Sequence, residues 1–384
     1  MMKKTDKIIN IIKFYRFTRI YGFERTYIKS IGRLRFKNII KLPLRFIRKD
    51  KNIGIIGSGQ FAFATIGFFL KKYKGNIINE NYDIDHNNST TFSNYYESKP
   101  SIDVNDLISN PVNNLIYIVS NHYSHTPYAI QCLKRNKNIY IEKPISVTYL
   151  QLVELKQHLL KSNSNIYCGY NRPHSPAIKE IHSKIISGNQ PITLNCFIIG
   201  HKIDKEHWYR NKNEGTRICG NVGHWLDLSI HLLVKRQLPN KFQFHLISSN
   251  QNEKDDNSSI ILTSDLGDLI NITLSSREEP FEGINETINF QQGDIIAKID
   301  DFRRMTIWES SKVITRRYFR KDVGHKNAIL QPFRESKRDW KEVELSTLIM
   351  IRLTEMIYKN LNSYTFDIKN ELNILENETN NPRS

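Results

Sequence analysis

Residues 51–62 read Lys-Asn-Ile-Gly-Ile-Ile-Gly-Ser-Gly-Gln-Phe-Ala, and this stretch decides the fold. Lys51 to Ile56 is a short apolar run of the kind that forms a buried strand. Gly57-Ser58-Gly59-Gln60-Phe61-Ala62 follows at once, and Thr65 to Lys72 then carries helical apolar spacing. Strand, glycine turn and helix in that order are the context a dinucleotide-binding fingerprint requires. Gly57 permits the tight turn, Gly59 lets a pyrophosphate approach the backbone, and Ala62 lets the helix lie close to the strand. The helix start at Gln60 and Phe61 offers unpaired N–H groups and a positive dipole end to the phosphates. Six residues of this kind also occur as an incidental turn, so the reading depends on what surrounds them.

Outward from the turn, a second strand is expected to end at Tyr82-Asp83-Ile84-Asp85. A carboxylate there accepts bonds from the adenosine ribose hydroxyls and repels a 2′-phosphate, which favours NAD over NADP. Asp83 is the first choice and Asp85 the second. Leu115 to Val119 reads as a buried parallel strand, followed by a loop Ser120-Asn121-His122-Tyr123-Ser124-His125 and a helix over about 127–135. Residues 138–141 form another strand, ending in Glu142-Lys143-Pro144. Repeated alternation of strand and helix predicts a doubly wound parallel sheet, with ligands at the carboxyl ends of its strands. Both the 120–125 loop and Lys143 fall at such ends. A helix is expected over about 149–161, after which the pattern changes. Segments 192–199, 241–249, 258–264, 268–275, 284–290 and 294–300 are strand-like and joined by short turns, interrupted by a helix around 224–234. An amphipathic helix is expected at about 344–360, and the Asn-rich end from about Asn377 reads as frayed. The fold class is therefore α/β: a Rossmann domain plus an α+β domain with a large, mostly antiparallel open sheet. The expected divisions are a basic extension 1–50, a dinucleotide-binding domain 51–165, a substrate and oligomerisation domain 166–370, and a flexible tail 371–384.

The net charge of +17 first suggests a nucleic-acid partner, but its distribution argues against one. Residues 1–50 carry 15 Lys and Arg against Asp6, Glu24 and Asp50, whereas the rest of the chain holds 41 basic and 36 acidic groups. The basic character belongs to the extension. Ile8, Ile11, Ile12 and Tyr15 share one helical face there, and residues 42–47 again mix apolar and basic types. Such a segment can pack on the body, serve an oligomer contact, or lie on an anionic membrane surface. No nucleic-acid partner is expected. Cys132, Cys168, Cys196 and Cys219 form no CxxC pair, so the expectation is a reduced cytoplasmic protein, in contact with the inner face of the membrane if the extension binds there. No apolar run reaches the ~20 residues that span a bilayer, and no secretory signal is read. The histidines lack a ligand spacing with acids, so no metal is expected.

The segments at 53–62 (IGIIGSGQFA), 116–146 (IYIVSNHYSHTPYAIQCLKRNKNIYIEKPIS), 168–178 (CGYNRPHSPAI) and 215–233 (GTRICGNVGHWLDLSIHLL) together resemble the Gfo/Idh/MocA family of sugar and polyol dehydrogenases. The pieces at 201–210, 297–308 and 321–329 look like its branch from bacterial surface-polysaccharide biosynthesis. The resemblance implies hydride transfer between a sugar-ring carbon and nicotinamide, with Lys143 and His224 as the active-site lysine and histidine. A lysine with its ordinary pKa of ~10.4 is a poor base at neutral pH; burial beside a positively charged ring lowers it. The histidine already titrates in the useful range. In family members of the Asp-x-x-x-His type an acid precedes the histidine by four residues. Here that position is Gly220, leaving Asp227 or Asn221 as stand-ins.

The cofactor site is expected to comprise Gly57, Gly59, Gln60, Phe61, Ala62, Asp83, Ser120, Asn121, His122, His125, Glu142 and Lys143. Lys143, Asn171, Arg172, His207, Trp208, Arg217 and His224 are expected at the substrate. Trp208 offers a flat apolar face to a sugar, and Arg217 can hold a phosphate bidentately, which suits a nucleotide-linked sugar. The bland readings are a loop pin for Trp208, a domain-interface cation for Arg172 and a core histidine for His224. Three functions remain: an NAD-dependent sugar oxidoreductase in surface-glycan synthesis, a redox-neutral NAD-dependent glycosidase, and a non-catalytic cofactor-binding regulator of the galactose-repressor kind. The open sheet suggests a homo-oligomer.

Overall fold

The computed structural model describes residues 4–35, 40–43, 50–188, 190–277, 284–334 and 337–381, with the side chains of residues 4–10 left aside. The side chain of Ile8 and most of the 42–47 segment lie outside the described residues. The chain divides into two compact units. The first takes Met1–Ile145, Glu154–Gly169 and His325–Arg338, and the second takes Ser146–Val153, Tyr170–Gly324 and Asp339–Ser384.

The first unit opens with α1 (Lys4–Tyr21) and α2 (Phe23–Leu34). Next comes β1 (Ile53–Ile56), buried along its whole length, as the central strand of a parallel sheet must be. The chain leaves the glycine turn into a π-helical stretch, Ala62–Gly67, that tightens into α3 (Phe68–Lys74). There follow β2 (Ile78–Tyr82), α4 (His86–Tyr96), β3 (Lys99–Pro100), α5 (Val104–Ser109), β4 (Leu115–Ile118), α6 (His122–Leu133), β5 (Asn138–Ile141), α7 (Tyr149–Leu160) and β6 (Ile166–Cys168). The six strands pair in parallel in the order β3-β2-β1-β4-β5-β6, the arrangement of a doubly wound nucleotide-binding fold. Asp85 and Asp103 cap α4 and α5 by accepting from Asn87 N–H and Asn105 N–H. One expectation needs correction: residues 122–125, read as loop, form the start of α6. Asn121 occupies its N-cap, and Ser124 closes back on the Asn121 carbonyl and the Ser120 hydroxyl.

The second helix of the extension belongs to this unit. Ile28 and Ile31 are buried in the same core as Ile53, Phe63, Ile66 and Tyr96. Removing such a side chain from water is worth about 1.5–3 kcal/mol. Gly32 lets the helix approach closely, because a Cβ there would lie 2.8 Å from Gln60 Oε1 and 2.9 Å from Phe63 Cδ1. On α1, Phe17 is buried while Ile11, Ile12, Phe14 and Tyr15 stay exposed.

The second unit contains α8 (Pro176–Lys184), β7 (Thr193–Ile199) and α9 (Gly223–Arg236), the last entered through a π-helical turn at Ile218–Val222. Then come β8 (Lys241–Ser248), β9 (Ser258–Ser264), β10 (Leu269–Ser275), β11 (Asn285–Gln292), β12 (Ile295–Asp300), β13 (Arg304–Glu309) and β14 (Lys312–Arg317). The chain next supplies α10 (His325–Ile329) to the first unit, where Tyr117 Oη donates to the Ile329 carbonyl, 2.8 Å. It ends with α11 (Trp340–Tyr358), β15 (Ser363–Asp367) and α12 (Ile368–Asn380). The sheet is nine-stranded, in the order β14-β13-β12-β11-β7-β10-β9-β8-β15, and antiparallel except for the β7–β10 pair. Leu194, Cys196 and Ile198 are buried while Thr193, Asn195 and Phe197 are exposed, so one face of the sheet is covered and the other open.

The C-terminal segment also departs from expectation. Read as a flexible tail, it forms α12 through Asn380. Asp367 caps it by accepting from Asn370 N–H, Leu375 and Ile368 are buried, and Glu371 accepts from Arg352 of α11. Low hydrophobicity hid a short apolar stripe that these contacts hold.

Candidate functional site

In the first unit the glycine turn has the two properties a phosphate cradle needs. Gly57 has φ 89°, and a Cβ there would lie 2.6 Å from the Val119 and Ser120 backbone, so no other residue fits. At Gly59 a Cβ would meet nothing within 4 Å among the described residues: bare backbone faces open space. Between them, Ser58 N–H donates to Asp83 Oδ2 at 2.7 Å, and Asp83 Oδ1 accepts from Asp85 N–H at 2.9 Å. The turn and the acid at the end of β2 are thus one hydrogen-bonded unit, and they fit the diphosphate and ribose of a dinucleotide. Ala62 is buried. Gln60 turns its amide to the Lys29 carbonyl, 2.9 Å, so its side chain serves the extension. Phe61 is partly exposed, 5.7 Å from the His325 ring.

The second cluster of this unit surrounds Lys143, a half-buried side chain just past β5. Glu142 before it is buried, its carboxyl accepting from Tyr140 Oη at 2.9 Å and from Lys143 N–H at 3.1 Å. Burial pushes the Glu142 pKa up to about 7, against the pull of Lys143 and these hydrogen bonds. The Lys143–Pro144 peptide is cis. His125 bridges from Pro144 O (Nδ1, 2.8 Å) to Ser120 O (Nε2, 2.9 Å). Burial pushes its pKa down to about 4, so at neutral pH the ring donates to one carbonyl only. His125 therefore sits between the loop after β4 and the Lys143 segment, hydrogen-bonded to one of the two. Ser120 and Asn121 lie at the strand end, and His122, buried, stands 6.1 Å from His125 ring to ring.

In the second unit, His224 lies in the first turn of α9, buried, with its ring edge-on to Tyr170 at 6.4 Å and near Trp225 at 5.9 Å. The two residues considered as stand-ins for an acid each have hydrogen-bond partners. Asp227 accepts from Ser346 of α11, and Asn221 Oδ1 accepts from Arg217 Nε and Tyr209 Oη, each at 3.2 Å. Gly220 has a steric cause: a Cβ there would lie 1.7 Å from Tyr209 Oη, so the phenol occupies the space a side chain would need. Arg172 is buried and forked onto Glu286, at 2.9 and 3.3 Å, and its guanidinium stacks 4.4 Å over Trp225, whose Nε1 also donates to Glu286. Asn171 donates to Val323 O. Both side chains are engaged in the fold. Arg217 is buried too, held by Asp256 Oδ1 at 2.8 Å, while its Nη2 has no hydrogen-bond partner among the described residues. His207 caps the short turn that carries Trp208, whose indole is partly exposed.

Two residues that matter here carried no sequence signal: Tyr209 and Glu286. Each acts on a residue far along the chain or across a loop, and no local pattern marks such a contact. The cysteines are buried and unbridged, and the described residues contain no cluster of three or more metal-ligating side chains.

A glycine cradle closed by an acid, with a lysine at a neighbouring strand end of the same parallel sheet, is the arrangement of a dinucleotide-binding Rossmann domain. Residues 51–170 match the Gfo/Idh/MocA family model, described as Oxidoreductase family, NAD-binding Rossmann fold. The chain is 25% identical over 187 residues to glucose-6-phosphate 3-dehydrogenase of Bacillus subtilis, covering 48% of this chain and 52% of that protein. It spans about half the length of the curated relatives it matches. Among solved structures it resembles a dehydrogenase from Clostridium difficile (TM-score 0.66, 17% identity, 82% of this chain and 100% of that one). It also resembles levoglucosan dehydrogenase in complex with NADH (TM-score 0.67, 12% identity, 83% and 99%). At these identities the likeness extends the fold, and only the fold, to the second unit.

Proposed function

We propose that the protein is an NAD-dependent oxidoreductase acting on a ring CH–OH of a sugar, nucleotide-linked, in surface-glycan synthesis. The observation that carries this is the bare turn at Gly59 locked to Asp83 through Ser58 N–H. An oriented acid at that place receives ribose hydroxyls, which favours NAD. A bound nicotinamide would supply the hydride acceptor or donor. Lys143 takes the hydroxyl proton as the alcohol is oxidised and returns it in reduction. Burial pushes the pKa of the neighbouring Glu142 carboxyl up to about 7, so it loses its proton as the pH rises through neutrality. His224 orients the sugar hydroxyl. Trp208 stacks on the sugar, and the unused Nη2 of Arg217 suits a phosphate oxygen.

The sugar-phosphate relative supports a carbohydrate substrate. The open sheet face supports a homo-oligomer, and the exposed apolar side chains of α1 among basic residues support contact with an anionic membrane surface. No helix among the described residues is long and apolar enough to cross a membrane.

The test is a panel of free, phosphorylated and nucleotide-linked sugars with NAD, followed by reduced-nicotinamide absorbance and by product analysis. Turnover of nucleotide-linked sugars with a kcat/KM at least about tenfold above the unlinked sugars is expected, the worth of one charged hydrogen bond to phosphate. Equal use of free sugars would remove the nucleotide from the proposal. Cleaved glycosides without net NADH would replace it by redox-neutral chemistry.

A further inference from the structure

The basic extension does more than cover the first unit: it delivers a cation to the adenosine end of the dinucleotide site. Arg35 ends α2 in the left-handed conformation, φ 49°, which aims its side chain back at the glycine turn. Its Nη2 donates to Ser58 O at 2.7 Å, and its Nη1 donates to Thr91 Oγ1 at 3.1 Å and Asn88 O at 3.3 Å. The guanidinium lies 4.9 Å over the Phe63 ring. Ser58 is thus gripped twice, its N–H by Asp83 and its carbonyl by Arg35.

Of the five N–H donors of a guanidinium, these bonds use three. The other two have no acceptor among the described residues, and Arg35 is half-buried. Asp83 and Asp85 act on Arg35 through their charges and favour its cationic form, against burial, which lowers its pKa. An arginine retains its charge at neutral pH regardless. At the end of β2 there is therefore an acid that repels a 2′-phosphate and, bonded to the same serine, a forked cation that attracts one.

We propose that Arg35 receives the 2′-phosphate of NADP, offsetting the repulsion by Asp83, so that the chain takes NADP alongside NAD. The proposal rests on the dinucleotide reading of the Gly57–Asp83 site. It makes the N-terminal helices a working part of that site, with specificity set by a residue outside the matched Rossmann segment.

Calorimetry on the full-length protein with ADP and with adenosine 2′,5′-diphosphate separates the two layers and requires no turnover. The wild type is expected to bind both within about tenfold of each other. Arg35→Gln is expected to weaken the 2′-phosphorylated ligand about 10- to 100-fold, the worth of a charged bidentate contact, and ADP by less than about threefold. Asp83→Asn is expected to shift the preference the other way. Equal weakening of both ligands by Arg35→Gln would reduce Arg35 to a prop for Ser58, and no change in either would exclude contact; both overturn the proposal with the site intact. A wild type that binds neither ligand overturns the dinucleotide reading itself. Should Arg35→Gln fail to fold, Arg35→Lys keeps the charge and loses the fork. An unchanged preference ratio in that variant overturns the bidentate contact, and a ratio shifted toward ADP supports it.

Discussion

Gly57 and Gly59 stand two residues apart and answer to different constraints. The first is fixed by the fold, through its positive φ and the Val119–Ser120 backbone against it. The second faces open space, where a Cβ would meet none of the described residues within 4 Å. Gly57→Ala should cost at least about 1–3 kcal/mol, from backbone strain alone, and the overlap adds to that. Gly59→Ala should leave stability within about 0.5 kcal/mol, as at an unconstrained site, while nicotinamide binding is lost. Thermal melting together with NADH fluorescence checks the pair, and a Gly59→Ala protein that melts early yet binds normally would contradict the cradle. At this scale the sequence was informative, because a glycine turn between strand and helix is a local pattern. It was silent on Gly220. The absence of an acid there could be seen in the sequence, but its cause, the Tyr209 phenol filling the space, depends on how a loop folds over the helix.

At the level of elements, the alternation of buried strands and helices made the parallel sheet legible, because β1, β4 and β5 carry continuous apolar runs that few other structures accept. The packing of α2 was not legible. Its charge and its apolar stripe suit a membrane surface as well as a protein core, and only the complementary Phe63 and Ile66 surface decides for the core. Arg172 teaches the same lesson. Its neighbours in sequence suggest a ligand cation, whereas Glu286 on β11, 114 residues away, claims both prongs of its guanidinium. Glu286→Ala should therefore destabilise by about 3–5 kcal/mol, since it strands a buried charge, and Glu286→Gln by less. Urea unfolding measures both. A loss below about 1 kcal/mol for the alanine variant would mean that the pair is not what pins β11 to the segment after β6.

For the whole molecule, the charge balance separates what the extension does from what the body does. An overall +17 describes neither, and the near-neutral body matches a protein whose ligands are bound at sites rather than by a field. A Rossmann unit and a sheet unit are folds that serve many activities, so the activity resides in the site residues rather than in the fold. The central claim is that Lys143 handles the proton of a hydride transfer. It is tested most directly by following reduced-nicotinamide absorbance in wild type and Lys143→Ala with NAD and the best substrate of the sugar panel, while NAD binding is monitored in parallel. The account predicts NADH formation in wild type, and in the variant a rate reduced about 10²- to 10⁴-fold, the worth of a general base, with NAD still bound. A variant that turns over at the wild-type rate would contradict it.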